Sequence, residues 1–145
     1  MKTILLVEDD AVVAHVYRER FLREGFNVET VSDGLTAMKS LRAIKPDAII
    51  LDLLMPKLNG VDVLKFIRAE PSLKSVPVII LSNACMSEEA DEAAKIGADL
   101  ALLKSGCTPA QLVTAINNLL SGKPVKLDTA QRLAIRNKPE DKPEK

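Results

Sequence analysis

Unbroken apolar runs of strand length alternate along this chain with stretches whose apolar residues recur at helical spacing. Thr3 to Val7 is the first run, and the acids Glu8, Asp9 and Asp10 close it. From Asp10 the spacing changes: Ala14, Tyr17 and Phe21 share one helical face, and Gly25 supplies a stop. Phe26 to Val31 reads as a second strand, and Ser32-Asp33-Gly34 turns the chain into a helix with Ala37, Met38 and Leu41 inward, ending before Pro46. Asp47 to Leu51 is the third strand and delivers Asp52 to its C-terminal end. A loop with Pro56 and Gly60 follows, where Asn59 is positioned to cap a helix carrying Leu64 and Ile67 inward as far as Glu70-Pro71. Pro77 to Leu81 is the fourth strand, with proline at its first residue, where a missing N–H is tolerated. Ser87 then opens a helix with Ala90, Ala93, Ala94 and Ile96 inward, stopped by Gly97. Leu100 to Leu103 is the fifth strand and ends at Lys104. Thr108-Pro109 caps a last helix, striped by Leu112, Ala115, Ile116 and Leu119 and ended by Ser121-Gly122.

Strands that are apolar on both faces need helices on both sides, and a (βα)5 alternation implies a doubly wound parallel sheet with right-handed crossovers. Every strand then points its C-terminal end the same way. Glu8, Asp9 and Asp10 after the first strand, Asp52 after the third, Ser82 after the fourth and Lys104 after the fifth converge on one edge. That edge is where ligands gather in open parallel sheets. Taken singly, Asp52 is either a strand-terminating or helix-capping acid or a functional group; the agreement of four strand ends favours function. Clustered carboxylates repel unless a cation joins them, and a hard divalent ion with oxygen ligands, Mg2+, is the ordinary solution. Acids with a lysine also suit a phosphoryl group, which a carboxylate can accept as an acyl phosphate.

Composition narrows the partners. The chain of 145 residues is one domain in size, 47% apolar and 28% charged, as soluble globular proteins are. Lys plus Arg equal Asp plus Glu at 20 each, which gives no electrostatic reason to expect nucleic acid or an anionic membrane as partner. A protein partner is expected. Cys85 and Cys107 are too few for a disulfide framework or zinc site and fit a reducing cytosol. Lys2 with a short apolar run and then acids is no signal-peptide pattern, and no stretch reaches membrane-spanning length, so a cytoplasmic location is expected. His15 has no second histidine with which to build a metal site. Residues 1–122 read as the folded domain. Residues 123–145 read as a tail, with one short helix over Asp128 to Arg136 and a disordered, proline-interrupted end from Asn137 to Lys145. No second domain is expected.

From Met1 to about Gly122 the motifs resemble the receiver domains of two-component response regulators, a family with a flavodoxin-like (βα)5 fold of strand order 2-1-3-4-5. Leu6-Val7-Glu8-Asp9-Asp10 is similar to the family's acidic pair. By spacing to Asp52 the pair maps onto Glu8 and Asp9, and the resemblance implies that Asp9 ligates Mg2+ directly while Glu8 acts mainly through water. Leu51-Asp52-Leu-Leu-Met-Pro56 with Gly60 resembles the phosphoacceptor strand and loop. It implies Asp52 as the phosphorylated residue and Leu54 as a metal ligand through its backbone carbonyl. Ser82 matches the switch Thr or Ser, and Lys104 the phosphate-binding lysine. The implied partners are a sensor histidine kinase or phosphotransfer protein as donor, and a downstream protein on the face of the fourth helix, fifth strand and fifth helix. Two positions depart from the family. Ser105-Gly106 follows Lys104 where a cis proline is usual, and Ala101 replaces the aromatic switch residue. Leu54 and Ala84 resemble positions that flank the phosphoryl group, and being apolar they imply a long-lived aspartyl phosphate.

The resemblance implies a stand-alone response regulator whose signal leaves through protein contacts. An aspartate-nucleophile phosphatase would carry a second acid two residues after the nucleophile, where this chain has Leu54. A pseudo-receiver, working without phosphorylation, is the alternative that the Ala101 and Ser105 departures leave open. No Gly-rich nucleotide loop supports a Rossmann or P-loop reading.

Overall fold

In the computed structural model, which describes residues 1–53, 60–82 and 88–122, five strands and five helices alternate. They are β1 (Thr3–Val7), α1 (Ala11–Arg23), β2 (Asn27–Val31), α2 (Gly34–Ala43), β3 (Ala48–Asp52), α3 (Gly60–Ala69), β4 (Val78–Ser82), α4 (Glu88–Ile96), β5 (Leu100–Leu103) and α5 (Pro109–Ser121). The expectations for Leu54, Pro56, Asn59, Ala84, Cys85, Ser87 and the tail from Lys123 lie outside the described residues, as do the side chains of Ser82 and of 88–91.

All neighbouring strands pair in parallel in the order β2-β1-β3-β4-β5, the flavodoxin-like arrangement. α1 packs with α5, while α3 packs with both α2 and α4, so two helical layers sandwich the sheet. The continuous apolar runs have their cause here: every residue of β3 is buried, and Ile4 to Val7 and Val78 to Leu81 are buried with it. β2, at the edge, is mostly exposed and carries the polar Asn27, Glu29 and Thr30.

Element boundaries shift by a residue from the sequence pattern. β2 begins at Asn27, and Phe26 instead packs its ring edge-on against Phe21, centroids 5.4 Å apart. β3 includes Asp52 and β4 includes Ser82, because both pair with the next strand, Asp52 with Leu81 and Ser82 with Leu103. Asp10 is the α1 N-cap, its carboxylate accepting from the amides of Val12 and Val13 at 2.9 and 3.2 Å. α5 opens with a full capping box between Thr108 and Gln111 and closes on Gly122 in the left-handed conformation, φ 76°. Met38 and Leu119, expected inward, are only half-buried.

One anchor had no signature in the hydrophobic pattern. Arg68, at the end of α3, donates to the carbonyls of Gly97, Lys74 and Val76 at 3.0, 2.9 and 2.8 Å and to the Asp99 carboxylate at 3.0 Å. Asp99 also accepts from the Val78 amide at 2.8 Å. One guanidinium thereby ties together the C-terminal end of α4 and the starts of β4 and β5, at the sheet edge away from the acids.

Candidate functional site

β1 and β3 are adjacent, which brings Glu8 and Asp52 together at their C-terminal ends. Glu8 is held there by its own amide, which donates to the Val31 carbonyl at 3.0 Å, and its side chain is buried. Asp52 is 4% exposed, Asp9 lies open to solvent, and Asp10 faces away into its capping role while its amide donates to Glu8 Oε2 at 3.0 Å.

Lys104 follows β5, two strands from β3, so its long side chain must cross the end of β4 to reach the acids. It does so. Lys104 Nζ lies 2.9 Å from Glu8 Oε1, 3.0 Å from Glu8 Oε2 and 3.1 Å from Asp52 Oδ2. The hydrogen bonds go to Oε2 and to Asp52, so the buried Glu8 Oε1 is paired in charge but receives no hydrogen bond. Ser82 ends β4 one residue past Leu81, the partner of Asp52, and pairs with Leu103, the residue before Lys104.

Two acids thus share one ammonium. Burial first and then the Glu8 charge push the Asp52 carboxyl up to about 7, with Lys104 only partly offsetting them. Burial by itself would pull the Lys104 ammonium down, but the bond to Glu8 and the charges of Asp52 and Glu8 outweigh it, so the group is raised above its usual value. The ammonium gains from both neighbours while Asp52 is left under-compensated. Glu8, Asp9 and Asp52 each offer an oxygen within 4.8 Å of the others. Hard oxygen donors, an excess of negative charge and a buried carboxylate oxygen without a hydrogen bond are what a divalent cation such as Mg2+ requires, so these residues fit one.

The first residue of α3 must be glycine. A Cβ on Gly60 would lie 2.5 Å from the Asp52 carbonyl oxygen and 2.7 Å from Leu53 Cα, both backbone atoms. α3 therefore begins against the backbone that carries Asp52, and the Gly60 amide donates to the Leu53 carbonyl at 2.8 Å.

The family model for the response regulator receiver domain matches residues 4–117. This chain belongs to that family. Over 92% of its length the receiver is 29% identical to the DNA-binding response regulator MtrA of Mycobacterium tuberculosis, of which the match covers 62%. The chain thus spans about three fifths of the length of the curated relatives it matches. A receiver domain of a signal transduction histidine kinase from Syntrophus aciditrophicus superposes with a TM-score of 0.77 at 29% identity, covering 88% of this chain and 96% of that one. The Mn(2+)-bound form of the response regulator Rcp1 superposes with a TM-score of 0.74 at 27% identity, covering 88% of this chain and all of that one.

Of the residues expected at the receiver's site, Glu8, Asp9, Asp52 and Lys104 are together; the Ser82 backbone is in line with them, and Leu54 lies outside the described residues. At the two departures, Ala101 is buried in β5 opposite Ile80, and Lys104–Gly106 forms a 3-10 turn with trans peptide bonds. Sequence reasoning took Tyr17 only as a core residue and missed its hydroxyl, which donates to the Cys107 carbonyl at 3.4 Å. The available signal was that a tyrosine on an inward face must find a polar partner. His15 is exposed on α1. Among the described residues no helix is long and apolar enough to cross a membrane.

Proposed function

We propose that this receiver accepts a phosphoryl group from a phosphohistidine onto Asp52, with Mg2+ held by Glu8, Asp9, Asp52 and the Leu54 carbonyl, and passes the signal on through altered protein contacts. The donor is a sensor histidine kinase or phosphotransfer protein, and the output face is that of α4, β5 and α5. The relay is assigned to the cytoplasm, where such donors and Mg2+ are available. The observation that carries the reading is Lys104 Nζ, 3.1 Å from Asp52 while fixed to Glu8, beside three carboxylates within 4.8 Å of one another.

In the step itself an Asp52 carboxylate oxygen attacks phosphorus, the P–N bond breaks, and its electron pair returns to the donor imidazole, leaving an acyl phosphate. The nucleophile must be ionised, and with Asp52 pushed up to about 7 that form is favoured by added positive charge. Bound Mg2+ supplies such charge and screens the phosphoryl oxygens. Lys104 is already on the attacked carboxylate and needs only a small movement to pair with a phosphoryl oxygen. Glu8 keeps the ammonium at that position, and the Ser82 hydroxyl is assigned the hydrogen bond to a second phosphoryl oxygen.

Phosphoramidate tests this reading, since its P–N bond is that of phosphohistidine. With Mg2+ the protein gains one phosphoryl group that hydroxylamine removes, as expected of an acyl phosphate; with EDTA it gains none. A hydroxylamine-resistant product, or the same yield in EDTA, contradicts the assignment.

A further inference from the structure

Lys104 owes its reach to the 3-10 turn Lys104–Gly106 from which it springs, and that turn is lightly held. Ser105 is exposed and Lys104 and Gly106 are partly exposed, and the turn's closing bond runs from the Cys107 amide to the Lys104 carbonyl. The next residue is different. Cys107 is 5% exposed, immediately before the capped start of α5. Its carbonyl receives the hydroxyl of Tyr17, which comes from α1, 90 residues away in sequence, and is itself 5% exposed. α1 begins directly after the acids, with Asp10 as its cap. The phenol therefore joins the helix that follows Glu8 and Asp9 to the turn that carries Lys104.

The geometry points to Tyr17 as a positioning residue for phosphoryl transfer: its hydroxyl fixes the Lys104 turn against α1, so that the ammonium arrives at both Glu8 and Asp52. The assignment rests on the function proposed above. A buried phenol needs a polar partner, and here the partner is the backbone whose placement decides where the ammonium goes. In keeping with that proximity, burial first and then the Cys107 and Glu8 charges push the Tyr17 phenol up to about 12, so it remains a neutral donor throughout the physiological range. Its ring also packs in the core, which is why only removal of the oxygen isolates the role.

The test uses Tyr17→Phe, Lys104→Met and the double variant. Losing one neutral hydrogen bond to the turn should slow Asp52 phosphorylation at saturating Mg2+ about fivefold, while Mg2+ affinity stays within about twofold because the three carboxylates are untouched. In the Lys104→Met background the same change should have no effect on rate, since the ammonium it positions is gone. An unchanged rate in Tyr17→Phe, or an equal drop in both backgrounds, overturns the assignment. Should the wild type take up no phosphoryl group, the function fails but the Tyr17 role is still decided by NMR titration of the Asp52 carboxyl. A shift on Tyr17→Phe in the direction given by Lys104→Met upholds it, and an unmoved titration rejects it.

Discussion

At the residue scale three side chains, Glu8, Asp52 and Lys104, set the charge balance of the site, and burial tips it. Burial first and then the Glu8 charge push Asp52 up to about 7, although the Lys104 ammonium that Glu8 and Asp52 share holds it down in part. Removing the ammonium must push it higher. In Lys104→Met the Asp52 carboxyl should titrate above the wild-type value, and an unmoved titration by NMR would show that the contact carries no charge stabilisation. Asp9 contributes differently, as the exposed third oxygen of the cluster. Asp9→Ala should weaken Mg2+ binding at least about tenfold by calorimetry without altering the fold, because one anionic ligand of a hard cation is lost. Wild-type affinity in that variant would remove Asp9 from the ligand set. These four residues were legible in the sequence because each ends an apolar run, and parallel topology gathers such ends. The roles of Tyr17 and Gly60 were not. Each depends on what faces it across the fold, a carbonyl in one case and the Asp52 backbone in the other.

Among the elements, α3 and α4 show where the hydrophobic pattern stops being informative. The strands, helices and their order follow from it, with boundaries moved by one residue where pairing extends β3 and β4. The Arg68 anchor does not follow, since a lone arginine at a helix end gives no hint of three carbonyls and a carboxylate converging on it. Arg68 and Asp99 are largely shielded from solvent, with 15% and 31% of their side chains exposed, so the cluster outweighs a surface ion pair. Arg68→Met should cost about 2–4 kcal/mol in urea unfolding, as expected for removing one member of a buried network. A loss below about 0.5 kcal/mol, the range of ordinary surface changes, would contradict this. α4 is fixed by that anchor at its C-terminal end, and its described inner face consists of Ala93 and Ala94, with Ile96 half-buried. At about 25 cal/mol per Å2 of apolar surface, such small side chains hold the helix weakly. With no ring at Ala101 to move, α4 is the element best suited to respond, so amide exchange over Glu88–Ile96 should slow on phosphorylation while Ala101 changes little. The reverse pattern would assign the switch to β5.

For the whole molecule, the site is a source of pH-dependent strain. Asp52 has its carboxyl raised from an ordinary 3.8 to about 7, so between these values the folded chain binds more of a proton than the unfolded chain does. This group's contribution to stability is therefore complete below about 4 and is lost as pH rises through about 7. Measured against Asp52→Asn, which cannot ionise, the wild type without metal should lose relative stability across that window. A flat difference would mean that Asp52 is not raised. The two helical layers and the edge on which the acids meet were legible because two-sided apolar strands need helices on both faces and parallel strands end on one side, whereas the sheet order followed only from the resemblance to receiver domains. The 3-10 turn at Lys104 was not, since Ser105-Gly106 offers no dominant local preference and the turn is set by burial of Cys107 and by α5 beginning behind it.

The central claim is that Asp52, served by Lys104, accepts a phosphoryl group, and intact-mass measurement after incubation with acetyl phosphate and Mg2+ tests it most directly. The wild type should gain the mass of one phosphoryl group, Asp52→Asn none, and Lys104→Met far less in the same time. Equal labelling of Asp52→Asn, or no labelling of the wild type, would contradict it.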